Sequence, residues 1–373
     1  MRRLDSWNPF RVTGLALPPA VVLLVRLVAL ALLLKRYFVG FYAAPRAPFA
    51  PLLPWFDLVP HPDAFRRLLT ATLVVALVGV LVDGRRIRAW CLVAAGTLFV
   101  ATLAARFYYS NNRVFCASLF LLAGLMRRGD RPLFLWLQLA LMYLAASLNK
   151  ALEPDWRSGV YFDYWLGHLN RQAPYVALAE RLPPLLLGRL LGWGTIAAEL
   201  TIGVAFLVPR WRVAAAWLLL YFHGAALLLS QKDFGVYTAA LFASSLAVVA
   251  WPAGWTVRFD PGRRAHALLR DVLARLDRDG LGTWVARPGA PLTAVIDGES
   301  RAGWDAVRHL LLVHPPVPFL AIAVLTASTA QYVWWRSAFV ALCLVVFAPL
   351  WPRLAATWRA VAPRLVAGRV NAP

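Results

Sequence analysis

The sequence predicts an all-α polytopic membrane helix bundle, of about eight spans plus a C-terminal pair, with a small α/β cytoplasmic insert. Three observations predict it. First, 61% of the 373 residues are hydrophobic and only 15% are charged. Soluble domains run to about 45–50% apolar and about 25% charged residues. A soluble chain this apolar would expose aggregation-prone patches, whereas hydrocarbon solvates such faces. Second, the apolar residues come in long runs separated by arginine-rich connections. Third, from Thr256 to His314 the chain turns polar and shifts to short helix-like and strand-like segments.

Taken in order, the chain starts with the basic pair Arg2 and Arg3, and its first apolar run covers Leu17 to Tyr42. That run is too long for the apolar region of a cleaved signal and reads as a retained anchor. Arg26 interrupts it, and an intramembrane arginine must face the bundle interior or snorkel to the interface. Further spans fall at Leu68–Val82, Trp90–Tyr108, Arg113–Met126 and Leu133–Leu148. After a connection from Asn149 to Gly188 come Leu190–Val208, Val213–Ser230 and Val236–Trp251. The final pair is Phe319–Trp335 and Ala338–Trp351. Placing the N-terminus in the cytoplasm puts the basic connections 85–88, 127–131 and 210–212 inside, as the positive-inside rule requires. The first outside loop runs against the rule, with Lys35, Arg36, Arg66 and Arg67. The expected location is the cell inner (plasma) membrane, crossed many times.

These runs divide the chain into a transmembrane region over 1–255, a polar α/β domain over 256–316, and a hairpin with a basic tail over 317–373. In the polar domain, Ala265–Leu276 and Ala302–Val313 have helical spacing and Leu292–Ile296 reads as a strand. The turn Asp277-Arg278-Asp279-Gly280 follows the first helix.

The net charge of +21 does not point to nucleic acid. The arginines punctuate apolar runs instead of clustering on one soluble face, a pattern suited to anionic lipid, so the bilayer is the expected partner. Cys91, Cys116 and Cys343 each lie inside an apolar run, and the six histidines form no HxxxH pair. Neither a disulfide framework nor a metal site is expected from that spacing. Transport has little support, because no paired broken helices are visible.

Lysine usage singles out one position. Of 39 basic residues, only Lys35, Lys150 and Lys232 are lysines. Lysine can lose its proton when buried, which arginine cannot do. Lys150 ends the apolar run Leu144-Ala145-Ala146-Ser147-Leu148-Asn149-Lys150. It reads either as a partly desolvated general base or as a lysine snorkelling to headgroups. Glu199 sits mid-span and reads either as a functional carboxylate or as the partner of a nearby arginine.

The tract Tyr143, Ala146, Ser147, Lys150, Asp155, Trp156 and Gly159 resembles the lysine signature of the vitamin K-dependent gamma-carboxylase family and its bacterial relatives with the horizontally transferred transmembrane domain. Ser110-Asn111-Asn112 resembles that family's paired asparagines, and Tyr221-Phe222-His223 with Ser230-Gln231 and Trp251-Pro252 resembles its late helical pair. The likeness covers roughly 7–255. It implies that Lys150 deprotonates a bound reduced quinone, menaquinol or a vitamin K-like quinol. The anion would then react with oxygen to form the strong base that drives carboxylation of glutamate. It also implies a site lined by Asn111, Asn112, Arg113 and His223, with Tyr143, Asp155, Trp156 and Glu199 nearby. Arg113 stands where the family has a histidine, and arginine stabilises an anion without relaying a proton.

Val257-Arg258-Phe259-Asp260, Ile296-Asp297-Gly298 and Gly303-Trp304-Asp305-Ala306 resemble a DCC-type thiol-disulfide oxidoreductase domain, which is thioredoxin-like. The family's two active cysteines would fall at Arg263 and His266, so the likeness implies a redox-dead copy that docks an unknown protein partner. Two functions follow from these readings. One is a lipid-quinol-dependent oxygenase or carboxylase with a lysine base. The other is a non-catalytic membrane scaffold or accessory subunit whose family site has decayed.

Overall fold

The computed structural model describes residues 8–35, 51–104, 111–230, 236–249, 254–277, 279–296 and 298–327. The described residues are mostly helical, with one small sheet. Its helices are α1 (Pro19–Leu34), α2 (Pro62–Val82), α3 (Ile87–Ala104), α4 (Asn111–Leu125) and α5 (Leu133–Leu152). Short helices α6 (Pro154–Ser158), α7 (Val160–Phe162) and α8 (Ala173–Ala179) lead to α9 (Leu186–Leu207), α10 (Arg212–Ser230) and α11 (Val236–Val249). Among the described residues, five helices are long and apolar enough to cross a membrane: α2, α3, α5, α9, and α10 with the turn before it. The helices α1, α4 and α11 are apolar but shorter.

Several boundaries differ from expectation, and proline accounts for some of them. Pro62 opens α2 six residues before the expected span, because a first-turn proline has its φ set for a helix and needs no hydrogen-bond acceptor. The connection from Asn149 to Gly188 is largely helical. It holds the end of α5, then α6, α7, a π-helical stretch over Asp163–Leu169, and α8. The expected continuation of the first span to Tyr42 falls partly outside the described residues. So do Ala338–Trp351 and the later part of Phe319–Trp335.

Arg26 is fully buried within α1 and faces the bundle interior. Its Nε donates to the Val80 carbonyl at 3.2 Å, and its Nη1 donates to the Pro9 carbonyl at 2.7 Å and the Asn8 carbonyl at 3.2 Å. The segment before α1 thus folds back to offer its main-chain carbonyls to the guanidinium.

After the bundle come β1 (Trp255–Phe259), α12 (Arg264–Leu276), β2 (Gly282–Ala286), β3 (Thr293–Ile296), β4 (Glu299–Ala302) and α13 (Gly303–Val313). The sheet order is β2-β1-β3-β4. The pair β1–β2 is parallel, whereas β3 runs antiparallel to both β1 and β4. Alternation along β1 turns Trp255, Val257 and Phe259 inward, where they meet Leu273 of α12 and Leu310 of α13. This core is separate from that of the bundle. The expected helices and strand match α12, α13 and β3 closely. The next helix, α14 (Pro316–Ala327), is bent by 74° from α13 and adds Phe319 and Ile322 to the bundle core. The turn after α12 joins the two units, since the Asp279 carboxylate accepts from the amides of Val12 and Thr13 at 2.9 and 3.1 Å.

Candidate functional site

The site grows from the seam between α5 and α9. On α5, Trp136, Ala140, Tyr143 and Ser147 recur at helical spacing on a buried face, and Lys150 extends it. On α9, the matching face carries Gly188, Gly192, Ile196, Glu199, Gly203 and Phe206. The helices run antiparallel. Trp136 stacks on Phe206 with centroids 6.3 Å apart, Ser147 Oγ donates to the Ile196 carbonyl at 2.9 Å, and Lys150 meets Glu199. At Gly203 an added Cβ would lie 3.1 Å from the Ala140 carbonyl, so a small residue there lets the backbones approach.

Lys150 Nζ donates to both carboxylate oxygens of Glu199, at 2.9 and 2.7 Å. The Glu199 side chain is only 8% exposed and that of Lys150 20%, so Lys150 does not snorkel and Glu199 pairs with lysine, not arginine. The pair forms one wall of a cavity of about 400 Å³. Trp156 covers the ammonium, with Nζ 5.0 Å from the ring centroid, a cation–π contact.

Trp156 is held there by its neighbours. It stacks on Tyr161 at 4.0 Å and meets Phe162 edge-on, and Tyr161, Phe162 and Trp165 also line the cavity. The backbone beneath is tightly fitted to α9. Gly159 has φ +92°, and a Cβ there would lie 2.4 Å from the Arg189 amide nitrogen. At Gly192 a Cβ would lie 2.1 Å from the Trp156 carbonyl oxygen. Both positions demand glycine, Gly159 for conformation as well as space.

The far wall comes from α10 and α11. His223 lines the cavity, and its Nε2 shares a 2.7 Å hydrogen bond with the Tyr143 hydroxyl. Tyr237 and Thr238 of α11 line it too, with the Tyr237 hydroxyl on Met142 Sδ at 2.7 Å. Buried phenols and imidazoles normally find such partners.

Lys150, Glu199, Trp156 and His223 therefore share one cavity, with Tyr143 just behind it. Asn111 is exposed, Asn112 half-buried and Arg113 buried, all at the start of α4, which packs chiefly on α3. Asp155 is exposed on α6. None of these four is among the residues lining the cavity. Sequence reasoning missed Tyr161, Phe162, Trp165, Phe222, Tyr237 and Thr238. The density of aromatic residues from Trp156 to Trp165 was a readable signal for the first three, whereas nothing local marks the others.

In the polar domain, Arg263 stands at the N-cap position of α12 and His266 lies in its first turn, with His266 Nδ1 accepting from the Asp260 amide at 3.2 Å. Both positions sit where a strand passes into a helix, and neither carries a thiol. Cys91 and Cys116 are buried in α3 and α4. No protein-family model matches this chain, and no curated protein or solved structure matches it either.

Proposed function

We propose that this chain is a multi-pass inner-membrane protein that binds a reduced lipid quinone beside Lys150 and takes a proton from it, as a quinol-dependent oxygenase or carboxylase does. One observation carries the reading. A desolvated lysine–glutamate pair faces an aromatic-walled cavity of about 400 Å³, within the range of small-molecule sites. Membrane insertion with the N-terminus cytoplasmic is supported by the five long apolar helices and the basic connections.

The pair gives the chemistry its form. An ammonium held on a carboxylate is no base. In a dry site, however, desolvation penalises both charges, and transfer of one proton along the 2.7 Å hydrogen bond leaves a neutral amine beside a neutral acid. The neutral Lys150 amine then accepts a hydroxyl proton from the quinol, and Glu199 acts as the store for the first proton. Apolar walls exclude the water that would quench a quinol anion. His223, fixed by Tyr143, orients a ring oxygen.

The polar domain is proposed as a thioredoxin-like docking module for a protein partner, supported by a mixed sheet in which β3 alone is reversed. The second reading, a non-catalytic scaffold, is favoured by the position of Asn111, Asn112 and Arg113 away from the cavity lining.

The test is oxygen uptake by the purified protein in lipid nanodiscs supplied with reduced menaquinone, with quinone products identified by mass spectrometry. Uptake that is lost in Lys150→Arg, together with an oxygenated quinone, supports the enzyme. Equal uptake in both proteins, or none, rules for the scaffold.

A further inference from the structure

The polar domain carries an apolar stripe that its own core does not use. On α12, Leu269, Leu273 and Leu276 pack in the core against the sheet, whereas Leu268 and Val272 stand clear of it, 66% and 46% exposed. Arg264 lies four residues before Leu268 and Arg275 three after Val272, so both share that outer side, and both are exposed. Arg263, just before the helix, is exposed too. The single acid of the helix, Asp271, is neutralised by Arg270 at 2.5 Å. Aliphatic side chains set between arginines suit a layer of anionic lipid headgroups.

The neighbouring helix shows which way that side looks. Ala306, Leu310 and Val313 of α13 join the core of the polar domain, and the opposite side of α13 carries Leu312, which belongs to the core of the bundle. α13 also touches α11. The helical layer of the polar domain therefore lies between its sheet and the bundle. α14 packs on α1 and α11, and α13 leaves it at 74°. α13 thus runs nearly across the bundle axis, close to the membrane plane, and α12 shares its layer. Beside the part of the layer that meets the bundle, the outer side of α12 looks past the bundle's edge.

We propose that α12 rests on the anionic headgroups of the cytoplasmic leaflet, with Leu268 and Val272 inserted and Arg263, Arg264 and Arg275 on lipid phosphates. The inference rests on the reading of the chain as a multi-pass membrane protein with this domain in the cytoplasm, and adds a second contact between the domain and the membrane. Apolar insertion and arginine–phosphate attraction act together, as they do for helices that lie in an interface. The open face of the sheet, which carries Arg258, is left to the cytoplasm.

The experiment uses the full chain in phosphatidylcholine nanodiscs, with or without phosphatidylglycerol, doped with lipids that carry a nitroxide high or deep on the acyl chain. Reporter cysteines carry a bimane fluorophore in a Cys343→Ser background, where Cys91 and Cys116 are buried. Leu268→Cys and Val272→Cys are expected to lose fluorescence to the high nitroxide, because an interfacial helix sinks its apolar side about 5–10 Å. The loss is expected to be larger with phosphatidylglycerol, and Arg264→Gln with Arg275→Gln to abolish that difference. Thr283→Cys, exposed on β2, is expected to keep its fluorescence. Val75→Cys, on α2 and 57% exposed, reports the bundle's own insertion and is expected to be quenched by the deep nitroxide. Quenching at Val75 with full fluorescence at Leu268 and Val272 overturns the inference and leaves the membrane reading standing. If the Leu268 probe is also blue-shifted in native membranes, the stripe belongs to a protein instead. Quenching at Leu268 that ignores lipid charge overturns the arginine contacts. No quenching at Val75 removes the membrane reading and this inference together.

Discussion

Two buried cations divide the labour in this bundle. Arg26 is enclosed by main-chain carbonyls of its own N-terminal segment and of α2, and it is not among the residues lining the cavity beside Lys150. Lys150 is held by one carboxylate and one aromatic face, and a cavity lies beside it. Carbonyls cannot take a proton, so the first site only holds its charge. A carboxylate can, so the second site holds the proton acceptor that the proposed chemistry calls on. The choice of arginine in one place and lysine in the other follows the same division.

The comparison can be broken in four ways, from the strongest expected effect down. Arg26→Leu strips several charge-assisted hydrogen bonds and leaves buried carbonyls unpaired, for a loss of about 5 kcal/mol in detergent unfolding titrations. A loss below about 1 kcal/mol would mean that water replaces the guanidinium. Glu199→Gln leaves the Lys150 ammonium without its counter-charge and costs about 3 kcal/mol. In the double variant Lys150→Met with Glu199→Gln, the total should fall short of the sum of the single losses, and strict additivity would show that the pair is not coupled.

Gly192→Ala drives a Cβ into the Trp156 carbonyl, with an expected loss of about 2 kcal/mol. It should also change the fluorescence of the aromatic cluster, and a spectrum identical to wild type would show that Trp156 is not fixed by this contact. The smallest effect is at high pH. Burial, then the neighbouring Asp163 carboxylate and its hydrogen bond, push the Tyr175 phenol up to about 12 from the usual 10.0. Between those values the unfolded chain gives up a proton that the folded chain keeps. Stability is therefore unaffected below about pH 10 and declines as pH rises towards about 12. Tyr175→Phe should flatten that decline in unfolding midpoints compared at about pH 9 and about pH 11. An unchanged slope would place the alkaline sensitivity elsewhere.

Much of the fold was legible because its elements are long and one-sided. Apolar runs identified the bundle helices, and helical spacing identified α12 and α13. The edge strand β4 reads Glu-Ser-Arg-Ala, with no alternation to betray it, and β2 follows a turn and is only half buried. The connection after Lys150 looked like a loop because Pro154 and Gly159 punctuate it. Here the proline starts a short helix and the glycine fits against α9. Of the site, Lys150 stood out through the rarity of lysine, and Glu199 through its mid-span position. Their pairing did not, since the two lie 49 positions apart on separate helices.

The short stretch before α1 is gripped from two sides, its carbonyls by Arg26 and its amides by Asp279. The second grip joins residues 267 positions apart. During synthesis, the stretch before α1 is thus locked only long after it is made. It must wait until most of the bundle and the helix before Asp279 have emerged. Such late closure of a very long loop makes assembly slow by its topology. It also ties the folding of the polar domain to the anchoring of α1.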